Sequence, residues 1–150
     1  MTAERMNFAT KHAGSISIAV TGGSEKSALD ASTIVNSEFA EAISKSVTQS
    51  GLFTSVVAAG QSETYQLSAA IVRVDQPVIG RAMTGTIEVK WTLTQVSNKY
   101  VFWKNAIVSS YTAKANEAFS GVDRLRLANE GAARINIQDA LTQISVLPLP

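Results

Sequence analysis

The chain has 150 residues, 45% of them hydrophobic and 17% charged, with a formal net charge of +1. That is enough chain for one globular core, and no apolar run is long enough to cross a bilayer as a helix. Acids and bases are scattered rather than gathered into the basic stripe that nucleic-acid binding needs, and the absence of cysteine excludes disulfides, thiolate catalysis and thiolate metal sites.

Residues 1–13 open polar with Met1-Thr-Ala-Glu-Arg5 and show no hydrophobic period, so they read as a flexible N-terminal arm without a signal-peptide pattern. A single domain is expected over residues 14–147. Ser15 to Thr21 alternates, with Ile16, Ile18 and Val20 on one face, which is the period of a half-buried strand. Gly22-Gly23 ends it, and Ser24 to Ser32 reads as a polar loop. A helix is expected from Thr33 to Ser50, because Val35, Phe39, Ile43 and Val47 recur every fourth residue. Gly51 is placed to end it in the left-handed conformation. Phe53 to Val57 is a short strand candidate.

Tyr65 to Val74 is the next strand. Its segment Ala69–Val72 is apolar on both faces, which suits a central strand or a bulge. Gln76-Pro77 closes it, and residues 77–82 are expected to be loop. Met83 to Thr94 then alternates almost without fault. Met83, Ile87, Val89, Trp91 and Leu93 share one face with Gly85, while Thr84, Thr86, Glu88, Lys90, Thr92 and Thr94 share the other. Tyr100 to Tyr111 should pair back on it. A three-residue loop, Ser97–Lys99, sets Leu93 opposite Trp103 and Val89 opposite Ile107. A two-residue loop, Ser97-Asn98, sets Leu93 opposite Phe102 instead. The three-residue loop buries the larger apolar set, and a slip of one residue exchanges the faces.

The last helix is announced by Ser120 and Asp123 at capping-box spacing and runs to about Ser145. Gly131 lies mid-helix, where it costs about 1 kcal/mol against alanine. Close approach of this helix to the sheet is the compensation expected. The predicted fold is α+β, a two-layer α/β sandwich in the order β-α-β-β-β-α. Both helices are placed on one face of a mainly antiparallel four-stranded sheet.

The search for chemistry assigns no catalytic, metal or cofactor-binding residue. His12 is the only histidine and falls in the arm, where it reads as solvated. No carboxylates stand at ligand spacing, and Glu88 has Lys90 as a same-face neighbour. Gly22-Gly-Ser-Glu-Lys26 lacks the spacing of a phosphate loop, and no serine sits in a nucleophile elbow. Trp91 and Trp103 read as core. What remains is a surface: Thr84, Thr86, Glu88, Lys90 and Thr92, with Phe102, Ala106 and Val108 beside them in the favoured register. This face is flat, weakly charged and partly apolar, which suits protein contact. The bland alternative is that residues 1–13 fold over it.

The pattern resembles the small periplasmic lipoproteins of Gram-negative bacteria built as a two-helix, four-strand sandwich, among them the lipopolysaccharide-assembly lipoprotein and the auxiliary lipoproteins of ABC-type lipid transport. The features are Ile16-Ser-Ile18, Ser50-Gly-Leu-Phe53, Tyr65-Gln-Leu67, Trp91-Thr-Leu93, Val101-Phe-Trp103 and Leu127-Ala-Asn-Glu-Gly-Ala-Ala133. The resemblance implies a non-enzymatic envelope domain, facing the periplasm, that acts on an envelope protein partner in outer-membrane assembly or transport. It also implies a membrane tether through an N-terminal lipidated cysteine, which this sequence does not contain. No cofactor and no nucleic-acid partner are implied. A binding module for a lipid or small amphiphile is the second reading and would need a cavity between sheet and helices. An enzyme is the third and would need a cleft gathering Glu88, Lys90, Arg73 or Asp75.

Overall fold

A computed structural model describes residues 1–25, 33–75, 78–79, 82–118 and 120–150. The elements are β1 (Ser15–Thr21), α1 (Asn36–Ser50), β2 (Ser55–Val56), β3 (Tyr65–Asp75), β4 (Val78–Ile79), β5 (Ala82–Gln95), β6 (Tyr100–Ala113) and α2 (Gly121–Ser145). The sheet runs β2-β1-β3-β5-β6, and β4 pairs with the start of β5 on the flank that β3 occupies further along.

This corrects the expected four-stranded, mainly antiparallel sheet. β1 pairs in parallel with both β2 and β3, while β3–β5, β4–β5 and β5–β6 are antiparallel, so the sheet is mixed. The cause is α1. A helix that leaves the end of one strand and returns beside its start forces the next strand to run parallel to it. Residues 57–64 then carry the chain from one flank of β1 to the other, where Val57 donates to the Ile16 carbonyl and Thr64 to that of Ser15. Two short strands were also read as non-strand or left open: β4 falls in the expected loop, and β2 occupies the Phe53–Val57 candidate. The polar loop at 26–32 and Gln76-Pro77 lie outside the described residues.

Helix α1 starts at Asn36, later than its apolar period suggested. Residues 34–36 are held in extended pairing by Ser24, whose N–H donates to the Ile34 carbonyl and whose carbonyl accepts from Asn36. The helix ends at Gly51, whose φ of 63° is left-handed and whose N–H reaches the carbonyls of Val47 and Thr48. Helix α2 starts where its cap predicts: Ser120 Oγ accepts from the Asp123 N–H at 3.0 Å.

Both helices lie on one face, and Trp91 shows it. The indole is fully buried; its ring centroid stands 6.0 Å from that of Phe39 on α1, and its Nε1 donates to Asn136 Oδ1 on α2 at 2.7 Å. Asn136 Nδ2 in turn donates to the Ile107 carbonyl at 2.8 Å and to Ser109 Oγ at 3.1 Å on β6. Leaving any of these groups unpaired in the core would cost about 1–3 kcal/mol, so the network fixes how α2 sits over β5 and β6.

Two glycines bring α2 down onto the sheet. A Cβ at Gly85 would stand 2.8 Å from the Ala128 carbonyl carbon, and one at Gly131 would stand 2.3 Å from Tyr111 Cγ. Gly85 and Tyr111 face each other across β5 and β6. The missing side chain on the strand admits the helix backbone, and the missing side chain on the helix admits the tyrosine ring. Arg134 then covers that ring, its Cζ 5.4 Å from the centroid.

Residues 1–13 have no regular secondary structure, but they are anchored against the helical layer. The Ala3 N–H donates to Ser46 Oγ at 2.8 Å, Lys11 Nζ donates to the Ser50 carbonyl, and His12 Nε2 donates to the Ile144 carbonyl at 2.8 Å. The solvated histidine expected from the sequence is therefore corrected. His12 is 6% exposed, with its ring 5.4 Å from that of Phe53. The last carbonyls of a helix have no partner within it, and two neighbouring arm residues each supply a donor to a different helix.

Candidate contact surface

Alternation that sends one set of side chains under the helices sends the other to the opposite face of the sheet. Pairing aligns that outer set in rows. Thr84, Thr86, Glu88, Lys90, Thr92 and Thr94 of β5 stand between Asp75, Arg73, Ala70, Ser68 and Gln66 of β3 and Thr112, Ser110, Val108, Ala106, Lys104 and Val101 of β6. The arm, held on the helical side, does not cover these rows.

The face has three characters. At one end, hydroxyls bond across the strands, Thr84 Oγ1 to Thr112 Oγ1 at 2.8 Å and Thr86 Oγ1 to Ser110 Oγ at 2.7 Å. Beside them Arg73 lies between Asp75, at 3.2 Å, and Glu88, at 3.9 Å. Exposed pairs of this kind contribute at most about 1 kcal/mol each. Glu88 is thus engaged by Arg73 across the strands, not by Lys90 as its sequence neighbourhood suggested. The residues that a catalytic reading would gather are brought together in part, but on an open sheet rather than in a cleft. The third character is apolar: Val72 is 51% exposed, Val101 48% and Val108 54%.

One expected member is not on this face. The favoured register holds, with Leu93 opposite Trp103 and Val89 opposite Ile107. The turn, however, spans Val96–Lys99, since Gln95 pairs with Tyr100, and the surplus residue is absorbed by a bulge between the Thr94–Val101 and Leu93–Trp103 pairs. That bulge turns Phe102 to the core side, where its ring meets Tyr65 at 6.0 Å and Tyr100 at 4.9 Å. Val101 takes its place beside Thr94. Val72 was missed for the same kind of reason, as the surplus residue of a second bulge between Ile71 and Arg73 in β3.

At the turn end the face deepens into a cleft of about 580 Å³, walled by Ala59, Glu63, Val96, Lys99 and Val101 over a floor of Gln66 and Thr94. The Glu63 carboxylate is tied to its own loop by the Gly60 N–H at 3.0 Å. Nearby on the outer row of β1, Ser17 is buried and its Oγ has no hydrogen-bond partner. Beneath the cleft end of the sheet, burial pushes the Tyr65 phenol above its ordinary range. Among the described residues, no group of histidines and carboxylates is placed to hold a metal ion, and no helix is long and apolar enough to cross a membrane.

No family model matches the sequence. Nor does any curated protein match it. Solved structures do share the fold. Protein XCC0632 of Xanthomonas campestris, of the DUF330 family, superposes with a TM-score of 0.70 at 13% identity, over 97% of this chain and 93% of that one. The hypothetical protein CT253 of Chlamydia trachomatis gives 0.64 at 10% identity, over 89% and 96%. A Caulobacter crescentus protein described as a putative lipoprotein gives 0.57 at 14% identity, over 87% of each chain, and lipoprotein GNA1162 of Neisseria meningitidis gives 0.51 at 11%, over 87% and 97%. The chain therefore has a fold also found in bacterial lipoproteins, and at these identities the likeness is one of fold.

Proposed function

We propose that this chain is the folded domain of a non-enzymatic envelope lipoprotein, facing the periplasm, that works through protein contacts made by the outer face of its sheet. The observation that carries the reading is the bareness of that face. Three exposed valines are set among hydroxyls, the Arg73–Asp75–Glu88 cluster and two lysines, on a sheet whose other face carries both helices. The occurrence of the fold in a lipoprotein supports the envelope assignment. The geometry suits a tether as well. Met1 and Thr2 lie by Glu38, Glu41 and Lys45 of α1, so an anchor joined ahead of them leaves from the helical side and keeps the sheet face clear.

The test is site-specific photo-crosslinking in a bacterial envelope. A crosslinker at Thr92 should capture a discrete partner, one at Gln49 on the exposed side of α1 should not, and Thr92→Arg with Val72→Glu should abolish the product while circular dichroism stays native. Equal capture from both positions, or full capture by the double variant, overturns the assignment of the face.

The cleft beside Val96 and Val101 supports a second reading, in which an amphiphile lays its chain on the two valines with its head group by Lys99. Native mass spectrometry of protein from lipid-containing extracts would show a bound mass that Val101→Glu removes. A chain that carries no adduct under those conditions refutes this second reading and leaves the first intact.

A further inference from the structure

The two edges of the sheet are treated differently. On one side β2 is two residues long; on the other β6 runs for 14 residues. Natural sheets blunt exposed edges with charge, proline or brevity, because a row of unpaired N–H and C=O groups templates another strand. β6 carries no proline and a single charge, Lys104. Among the described residues, no strand lies on its second flank. Of the main-chain hydrogen bonds made outside helices and ladders by the described residues, none involves Trp103–Ala113. Among the described residues, the one side-chain bond to the backbone of Trp103–Ala113, from Asn136 to the Ile107 carbonyl, comes from the helical layer.

We infer that the free edge of β6 is the contact by which two copies of this chain associate, strand beside antiparallel strand about a twofold axis at Val108. The pleat restricts the register. From Trp103 to Ala113 even-numbered residues point outward and odd-numbered ones toward the helices. A continuous sheet must pair like with like, so the axis falls on a residue. The regular stretch begins after the bulge at Phe102 and ends at Ala113. Its midpoint is Val108, which is 54% exposed.

A second copy suits this edge in composition. With the axis at Val108, the two exposed valines meet each other and each Ala106 meets Ser110 of the other copy. Each Lys104 falls opposite Thr112, so the only charge on the strand never opposes itself. Two strands of one sheet lie about 4.8 Å apart. Because α2 sits over β5 and β6, its two copies would lie roughly 10 Å apart, which is helix-packing distance. The inference is independent of what the outer face binds.

Sedimentation equilibrium of the full chain tests it. The expected result is a monomer–dimer equilibrium that Val108→Lys weakens about tenfold or more, since it sets two lysines together on the axis. Thr112→Glu places a carboxylate opposite Lys104 twice and should tighten the dimer roughly fivefold at low salt, with the gain lost at high salt. Lys104→Glu with Thr112→Lys restores the same opposed pairs with the charges exchanged and should tighten the dimer as Thr112→Glu does, whereas Lys104→Glu with Thr112→Glu sets like charges together and should weaken it. Val72→Lys, on the same face but far from the edge, should change nothing. A chain that stays monomeric into the millimolar range overturns the inference and leaves a foreign strand as the occupant. A dimer indifferent to Val108→Lys and Thr112→Glu overturns it too, by placing the contact elsewhere.

Discussion

Gly131→Ala is the substitution on which helix propensity and packing disagree most sharply. In an isolated helix it should stabilise by about 1 kcal/mol. Here the added methyl would stand 2.3 and 2.4 Å from Tyr111 Cγ and Cδ1 and 2.9 Å from its Cβ, against the 3.5–4.0 Å or so of a relaxed carbon contact. Turning the ring cannot clear it, because Cβ and Cγ lie on the axis of that rotation. Strand β6 or helix α2 must shift, at about 1–3 kcal/mol for overpacking of this kind. The shift also disturbs Arg134 over the ring, a contact worth about 0.5–1 kcal/mol when exposed. After the propensity gain is subtracted, a net loss of about 1–2 kcal/mol is expected. Urea melts of the wild type, Gly131→Ala, Tyr111→Ala and the double variant would measure it, with unchanged m-values confirming that the unfolding transition is the same one. In the Tyr111→Ala background the loss should shrink toward zero or turn into a gain. A clean stabilisation of about 1 kcal/mol in the wild-type background would mean that Gly131 does not meet Tyr111 and would refute the reasoning.

Other expectations follow from the same packing. Trp91→Ala removes the side chain that both helices touch and should cost about 3–5 kcal/mol in a denaturant melt, while Thr92→Ala, one residue on and outward, should cost less than about 0.5 kcal/mol; comparable losses would overturn the assignment of faces. Deleting residues 1–12 removes the donors to both helix ends and the apolar contacts of the arm, and should lower stability by roughly 2–4 kcal/mol. The same deletion should leave crosslinking through Thr92 unchanged, because the arm lies on the other side of the molecule; a gain in crosslinking would show that the arm had covered the sheet face.

The parts of this structure that were legible in the sequence are those written locally. The strand period of Met83–Thr94, the stripe of α1 with Gly51 at its end, and the Ser120 cap of α2 each concern residues within a turn or two of one another. Burial also chose the hairpin register correctly, since opposing Leu93 to Trp103 is the arrangement that keeps both under the helices. What failed was non-local or compensated. Whether β1 has parallel or antiparallel neighbours depends on where α1 delivers the chain, which no periodicity records. The bulge at Phe102 lets a four-residue turn reach the register assumed for a three-residue one, so the pairs beyond it were right while Phe102 and Val101 exchanged sides. A sequence signal for it does exist: Val101, Phe102 and Trp103 run apolar without alternation, as do Ala69–Val72 at the other bulge. The arm left no signal of that kind. Lys11 and His12 are ordinary polar residues until helix ends are brought to them.

The bond from His12 to Ile144 joins residues 132 positions apart. It therefore sets an order of events during synthesis. Synthesis makes residues 1–13 before α2, so the His12 side chain lacks its acceptor at Ile144 until the final turn of α2 has emerged, whereas Ala3 and Lys11 have theirs as soon as α1 is made. A chain broken off before that turn lacks the one side-chain bond of the arm that reaches α2 and keeps only the donors aimed at α1. Completion of α2 is thus registered 132 positions upstream, as the docking of the His12 ring.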